Sequence, residues 1–255
     1  MSPTLVTIPF SHFCEKARWS LDAAGIAHRE EGHVPVLHRR AVRRAKGRTS
    51  VPVLLLDDGS ALDDSPAIVR FADAHAPDHR KLLPPDGPAR DEALAYERRL
   101  DVELAPHVRR FVYFHVLGSR ALALRLFERQ TPRFEHRVAA AVFPLLRGVM
   151  RRFMSIDEDR ALESRDRVRR AFDEVGARIG GREYLVGDRF GAVDIAFAAF
   201  AAPMVMPDEH PVMSPKDASD PRVPQALQDE VRALRETPAG RFALRVYRDH
   251  RRREG

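Results

Sequence analysis

The 255-residue chain has 44% hydrophobic and 31% charged residues, a composition typical of globular proteins that excludes extended disorder. A chain of this length can bury a substantial core, and we expect two domains. Its single cysteine, Cys14, excludes an internal disulfide framework, and no N-terminal stretch resembles a signal peptide, so we expect a cytoplasmic protein.

The formal net charge of +6 has one source in the sequence. Residues 118–154 contain eight arginines, two glutamates and no lysine or aspartate, which accounts for the whole excess. The segment lacks a recognisable motif for reading nucleic acid, so we expect no nucleic-acid partner. The longest uncharged run, residues 195–207, is shorter than the ~18 apolar residues that a membrane span needs.

The first elements predicted are a strand and a helix. Residues 4–8 are β-branched and apolar, which favours a buried strand. Ser11 can cap the helix that follows, Ala17 and Leu21 lie on one face of it, and Gly25 is a natural stop. This is a β-then-α unit.

The next segment predicts a short strand at 33–37 and a basic helix at 39–46. The apolar run 51–56, an Asp-Asp-Gly-Ser turn and a return at 61–63 predict a β-hairpin. A further helix should follow, with Ser65 as its cap.

Prolines divide the chain into two parts. Residues 79–90 combine charged residues with several prolines and a glycine, which is typical of a linker. We therefore expect one domain at 1–78, the linker at 79–90, and a second domain at 91–255 that is helical throughout and contains the arginine-rich insert near 118–154.

The start of the first predicted helix carries a family resemblance. The run SHFCEKARW, residues 11–19, resembles the first helix start of serine-type glutathione transferases of the tau and zeta classes. Ser11 falls on their catalytic serine. In the omega class and the glutaredoxins a cysteine occupies this position, and Cys14 would then match the second cysteine of a C-P-x-C motif.

Two further patterns resemble the glutathione-binding residues of this family. The run SVPVL, residues 50–54, is similar to a strand start with a cis-proline at Pro52, where the backbone of Val51 pairs with the cysteinyl part of glutathione. Asp64 and Ser65 resemble the pair that holds the γ-glutamyl end. A helix N-terminus with a hydroxyl favours a carboxylate, and the Asp64 carboxylate can take an ammonium.

A fourth pattern lies in the second predicted domain. Residues 183–195 resemble the family's Y-L-x-G-D-x-x-S/T-x-A-D-I segment. Physically the segment is a helix start, in which Asp194 can accept a hydrogen bond from the N–H of Gly191. The sequence departs from the family here, because the usual Ser/Thr cap is Gly191 and one side of the reciprocal capping box is missing.

Together these resemblances imply an α/β plus all-α architecture: a thioredoxin-like βαβαββα domain followed by an all-helical glutathione-transferase domain. They imply a homodimeric, glutathione-dependent transferase or isomerase that uses glutathione as cosubstrate against a small hydrophobic electrophile. Ser11 would activate the thiol, with Cys14 as the alternative. The histidines show no metal-ligand spacing, so we expect no metal.

Several alternatives stay open at the level of sequence. Cys14 can be a packed apolar thiol, and His12 is expected to face solvent. Arg48, or Lys46, could bind the glycyl carboxylate of glutathione, in competition with the arginines at 39–44.

The arginine-rich insert leaves the function itself open. A lid over the second-substrate pocket or part of a dimer interface is the favoured interpretation, and docking on an anionic membrane is the second. The chain could also be a non-catalytic member of this fold that acts as a ligand-binding or interaction protein.

Overall fold

The computed structural model describes residues 2–45, 47 and 50–251. The chain forms two compact units. The first, here called the sheet unit, comprises Met1–Leu83 and Leu124–Leu146. The second, the helical unit, comprises Pro84–Ala123 and Arg147–Gly255. Part of the arginine-rich insert, Leu124–Leu146, thus groups with the sheet.

The sheet unit begins with the element order βαβαββα, which confirms the thioredoxin-like fold expected from the sequence. Its elements are β1 (Thr4–Thr7), α1 (His12–Ala24), β2 (Arg29–Gly32), α2 (Arg39–Arg44), β3 (Val53–Leu55), β4 (Ala61–Asp63) and α3 (Ser65–His75). A short 3₁₀ helix follows at Asp78–Arg80.

The four-stranded sheet has the strand order β2-β1-β3-β4, and its register brings several chain segments to one end. β1 runs parallel to β2 and antiparallel to β3, with Thr7 opposite Gly32 and Val6 opposite Val53. β4 is antiparallel to β3, with Asp63 opposite Val53. The last residues of β1, β2 and β4 therefore lie at the same end of the sheet as the first residue of β3.

Helix α1 forms as the sequence predicts. Ala17 and Leu21 are fully buried, and α1 packs against α3 within the sheet unit. Gly25 ends the helix with φ at 75°, a left-handed conformation that glycine adopts without a Cβ clash.

Two local predictions in this unit are wrong. The strand expected at 33–37 is β2 at Arg29–Gly32, because the charged Glu30 is partly buried in β2 and bound to a cation, which hides the strand pattern. The cap of α3 is Asp64 and not Ser65: Oδ1 of Asp64 accepts a hydrogen bond from the N–H of Ala67 at 2.8 Å.

The remaining chain is helical. In chain order the helices are α4 (Pro88–Glu103), α5 (Ala105–Val116), α6 (Arg120–Phe127), α7 (Arg133–Ala141), α8 (Phe143–Phe153), α9 (Glu158–Ile179), α10 (Ala192–Val205), α11 (Pro215–Ala218), α12 (Gln225–Arg235) and α13 (Pro238–His250). Every residue of α10 is buried, and it packs against α4, α5, α12 and α13 within the helical unit. Across the described residues, none of the helices combines the length and apolar character that crossing a bilayer requires.

Asp194 ties the start of α10 to the loop before it. Its Oδ2 accepts a hydrogen bond from the N–H of Gly191 and its Oδ1 accepts one from the N–H of Leu185, both at 2.9 Å. Burial raises the pKa of this carboxyl to about 7, although the two N–H donors oppose the shift. The expected half of a capping box is therefore present, and glycine at the cap supplies no side chain for the other half.

We expect Asp194→Ala to lower the free energy of unfolding by about 3 kcal/mol, because it leaves the buried N–H of Leu185 and the partly buried N–H of Gly191 without an acceptor. Asp157→Ala is the matched control. Asp157 also caps a helix, by accepting from the N–H of Arg160 at 2.9 Å, but its side chain is half exposed and its loss should cost about 1 kcal/mol. Urea unfolding of both variants measures the difference, and equal losses would contradict this account of Asp194.

Candidate functional site

The Val51–Pro52 and Asp64–Ser65 motifs meet at the end of the sheet where β3 begins and β4 ends. The peptide bond between Val51 and Pro52 is cis. The N–H of Asp64 donates to the carbonyl oxygen of Pro52 at 3.2 Å, so a hydrogen bond joins the two motifs directly. Residues that are 12 apart in sequence thus form one small surface.

Asp64 and Ser65 differ sharply in their environments. Asp64 is exposed and holds a positive φ of 85°, a conformation that non-glycine residues rarely adopt. Ser65 is 2% exposed, and its Oγ has no hydrogen-bond partner among the described residues. A buried hydroxyl without a partner at the first turn of a helix is suited to bind an anionic group, together with the backbone N–H of Ser65 at the first helical position.

Ser11 stands at the N-cap of α1, at the same end of the sheet. Its N–H donates to the carbonyl of Ile8 at 2.9 Å, and its side chain makes no capping hydrogen bond to the helix backbone. The Ser11 side chain instead hydrogen-bonds to the sulfur of Cys14. The side chain is half-buried, and rotation about χ1 can direct its hydroxyl to another acceptor.

Cys14 lies one turn into α1 and is fully buried. Burial raises the pKa of its thiol to about 12, despite the hydrogen bonds from the Ile8 backbone and Ser11. A thiol with such a pKa stays protonated near neutral pH and is a poor nucleophile.

A buried ion network fixes the loop that leads to Ser11. The guanidinium of Arg18 donates to both carboxylate oxygens of Glu30, at 2.6 and 2.5 Å, and also to Glu15. A further bond at 3.2 Å reaches the carbonyl of Pro9, two residues before Ser11.

The opposite charges within the network keep both Arg18 and Glu30 ionised. Burial opposes the charge of Arg18, but Glu30 and Glu15 outweigh it and raise the pKa of the guanidinium. Burial likewise disfavours ionised Glu30, yet Arg18 holds the pKa of this carboxyl below its usual range. Thr7 contributes a hydrogen bond to Glu30 at 2.6 Å, which ties the end of β1 to the same group.

The segment around α7 packs on this end of the sheet unit. The ring of Phe127 stacks on Phe10 with centroids 5.8 Å apart. Glu135 is buried, accepts from the N–H of Val34 at 2.8 Å and contacts Nδ1 of His33 at 2.6 Å. The hydrogen bond with Glu135 is the main reason why the pKa of His33 is raised.

A glycine is required where this segment passes β2. A Cβ on Gly32 would collide with the carbonyl oxygen of Gln130 and would lie 2.7 Å from Cγ of Pro9. This close approach is one of the contacts that the segment Leu124–Leu146 makes within the sheet unit.

Other site expectations have different outcomes. Arg48 and Lys46, the candidates for binding a glycyl carboxylate, lie outside the described residues. The expectation that His12 faces solvent is wrong, because its ring is buried and lies against Phe13 with centroids 4.7 Å apart. Among the described residues, no group of three or more His, Cys, Asp or Glu side chains is arranged to hold a metal ion.

Sequence reasoning missed the charged residues that support the site. Arg18 lies three residues after Glu15 on α1, and this spacing is a usable signal for an ion pair. Glu135 is one of only two acidic residues in the arginine-rich insert, which also singles it out.

Comparison with known families identifies the class of protein. The profile described as "Glutathione S-transferase, N-terminal domain" matches residues 5–80, and that described as "Glutathione S-transferase, C-terminal domain" matches residues 134–218. Together they cover more than half of the chain in the order that the fold requires. The chain belongs to the glutathione S-transferase superfamily.

Solved structures share this fold at low sequence identity. A glutathione S-transferase from Pseudomonas fluorescens aligns with a TM-score of 0.65 and 18% identity, over 100% of this chain and 98% of that one. One from Xanthobacter autotrophicus aligns at 0.61 and 19%, over 96% and 91%. A theta-class enzyme from Xanthomonas axonopodis pv. citri, with glutathione bound, aligns at 0.59 and 20%, over 99% and 98%. Among curated proteins, no sequence matches the chain significantly.

We expect Arg18→Ala to lower the free energy of unfolding by roughly 3–5 kcal/mol, because it leaves the buried carboxylate of Glu15 and the partly buried carboxylate of Glu30 without their cation. Arg18→Lys, which keeps the charge but loses the fork of donors, should fall between this variant and the wild type.

Arg44→Ala is the control for Arg18. The Arg44 side chain is 65% exposed and pairs with Glu31 at 3.2 Å, so its loss should cost less than about 1 kcal/mol. Urea unfolding of the three variants measures the series. Equal stability of the two alanine variants would show that the buried network does not organise this unit.

The pair formed by His33 and Glu135 predicts a pH-dependent stability. Because the pKa of folded His33 is raised, the protonated pair stabilises the fold below the ordinary pKa of 6.5, and this contribution is lost as pH rises through the folded value. Glu135→Gln should therefore cost about 2 kcal/mol in mildly acidic solution and less in alkaline solution.

Glu128→Gln is the matched control for Glu135, because Glu128 is exposed in the same segment. Urea unfolding as a function of pH, with hydrogen exchange at the Val34 amide as a local readout, measures the effect. A deficit of Glu135→Gln that grows with pH would rule out the protonated pair.

Proposed function

We propose that this protein is a glutathione-dependent transferase or isomerase that binds glutathione at the end of its sheet and activates the glutathione thiol with Ser11. The observation that carries the proposal is the buried hydroxyl of Ser65, which lacks a partner among the described residues beside the Pro52–Asp64 hydrogen bond. A buried polar group without a partner is costly, and a ligand carboxylate would satisfy it.

Two parts of glutathione, the γ-glutamyl end and the cysteinyl backbone, would have complementary groups among the described residues of this site. The γ-glutamyl carboxylate would bind the Ser65 hydroxyl and the N-terminus of α3, while the exposed Asp64 carboxylate would attract the ligand's ammonium. The backbone of Val51, before the cis bond, would pair with the cysteinyl backbone. Arg48 is the proposed partner of the glycyl carboxylate.

Thiol activation would come from Ser11 and the N-terminus of α1. The free thiol of glutathione has a pKa of about 8.5, so only a few per cent is thiolate near neutral pH. A hydrogen bond from the Ser11 hydroxyl and the helix dipole together can lower this pKa by about 2 units. The thiolate would then attack an electrophilic carbon, and its formation needs no metal.

Cys14 is a less suitable candidate than Ser11 for the residue that acts on the glutathione thiol. Its sulfur is fully buried, and its raised pKa opposes thiolate formation. Its role in this proposal is to hold the Ser11 side chain in the absence of ligand.

The finer features of the proposed function rest on family membership and on sequence. We propose a small hydrophobic electrophile as second substrate, a homodimer as the working assembly and a cytoplasmic location, the last from the single, unpaired cysteine.

We expect the ultraviolet absorbance of bound glutathione to report a thiol pKa of about 6–7 in the wild type and of about 8.5 in Ser11→Ala. The turnover of a generic aryl halide should fall about 100-fold in Ser11→Ala, by analogy with removal of one donor to a developing anion. Cys14→Ala is the control and should keep both the pKa shift and the turnover. Loss of the shift in Cys14→Ala but not in Ser11→Ala would assign activation to the cysteine.

We expect Asp64→Asn to weaken glutathione binding about tenfold without loss of fold stability. Asparagine caps a helix as well as aspartate does, so this substitution removes the negative charge that would attract the ligand's ammonium and keeps the hydrogen bond from the N–H of Ala67. Ser65→Ala should also weaken binding while stabilising the free protein. Calorimetric titration measures the affinity, and unchanged affinity in both variants would place glutathione elsewhere. Wild-type binding without a thiol pKa shift would indicate a non-catalytic binding protein.

A further inference from the structure

The arginine-rich segment exposes an unusual amount of apolar surface. Of the eight large hydrophobic side chains that are exposed in the described part of the chain, six lie between positions 134 and 153. Four of them belong to the sheet unit and are spaced four, four and three residues apart: Phe134, Val138, Val142 and Leu145. We call these four residues the α7–α8 face.

The α7–α8 face is distinct from the side of each helix that packs inward. On α7 the buried residues are Glu135 and Ala139, whereas Phe134 is 66% exposed. On α8 the buried residues are Phe143, Leu146 and Met150, whereas Leu145 is 69% exposed. Each helix thus has a packed side within the protein and a second apolar strip that the chain itself leaves in water.

The charges beside this face all have one sign. Arg133 and Arg137 are both exposed on α7, within the sheet unit. The single acidic residue of the two helices, Glu135, is buried and bound to His33 and Val34. No carboxylate of α7 or α8 therefore neutralises these arginines.

We propose that the α7–α8 face docks this protein on an anionic lipid membrane surface. Short amphipathic helices with large apolar residues on one side and arginines beside them insert their apolar side at the boundary between headgroups and acyl chains. Anionic headgroups attract the flanking arginines that lie close to the membrane surface. Docking would bury the exposed phenylalanine and leucine and would neutralise the positive rim at the same time.

The charge pattern favours a membrane over a second copy of this chain. In a two-fold symmetric dimer each patch meets itself, so Arg133 and Arg137 would face a second set of arginines with no exposed acid in the patch. Like charges brought together across an interface are unfavourable, whereas an anionic surface supplies the missing negative charge. The large exposed fraction of Phe134 and Leu145 also argues against a lid closed over an internal pocket.

Co-sedimentation of the full chain with vesicles tests the proposal. The vesicles are made either of equal parts phosphatidylserine and phosphatidylcholine or of phosphatidylcholine alone. We expect sedimentation with the anionic vesicles at low salt, little with the neutral ones, and release as salt screens the arginines. Phe134→Ser combined with Leu145→Ser should lower the partition coefficient about tenfold or more.

Matched variants separate the face from hydrophobicity and charge in general. Val102→Ser with Leu162→Ser removes two other exposed hydrophobic side chains, at 62% and 45% exposure, and should leave partitioning unchanged. Arg133→Glu with Arg137→Glu should lower it roughly fivefold or more per arginine. Arg98→Glu with Arg182→Glu, at exposed sites outside α7 and α8, should have a much smaller effect.

Two outcomes would overturn the membrane proposal. One is the absence of sedimentation with anionic vesicles at low salt, and the other is equal partitioning of the face variant and its control. Analytical ultracentrifugation in the absence of lipid tests the alternative that a second copy of the chain binds to the α7–α8 face. A dimer that dissociates in Phe134→Ser with Leu145→Ser, without vesicle binding, would assign the face to a second copy of the chain.

Discussion

The candidate site depends on the hydrogen bonds and ion pairs of one buried group, the guanidinium of Arg18. It joins three parts of the sheet unit, because its donors reach Glu15 on α1, Glu30 on β2 and the carbonyl of Pro9 in the loop between β1 and α1. That loop leads to the N-cap serine. A single cation therefore fixes the position from which α1 starts. Without it, the charges of the two carboxylates that bind it would be uncompensated and would destabilise the fold.

The register of the sheet brings the remaining segments of the candidate site together. With Thr7 opposite Gly32 and Val53 opposite both Val6 and Asp63, the ends of three strands and the start of the fourth meet. Ser11, the cis-proline and the Asp64–Ser65 pair each lie within a few residues of those points. The inserted segment packs at the same end through Phe127 and Glu135. Helices that are remote in sequence thus become part of the unit that carries the candidate site.

Local sequence patterns predicted the fold where local physics determines it. The α1 stop at Gly25 and the Asp194 bond to the N–H of Gly191 follow from glycine conformation and helix-end chemistry, and both were predictable. The position of β2 was not, because Glu30 looks solvent-exposed until its buried partner is known. The docking of Glu135 on His33, 102 residues apart, depends on tertiary contacts that no local pattern encodes. The candidate site motifs were proposed from a family resemblance, which their short length and their order along the chain made visible in the sequence.

A crystal structure of the full chain with glutathione tests the central claim most directly. The account predicts that the γ-glutamyl carboxylate lies within hydrogen-bond distance of the Ser65 hydroxyl, that the Val51 backbone pairs with the cysteinyl backbone, and that the sulfur accepts from Ser11. Glutathione bound away from Ser65, or its sulfur directed to Cys14 with Ser11 still turned towards that cysteine, would contradict it.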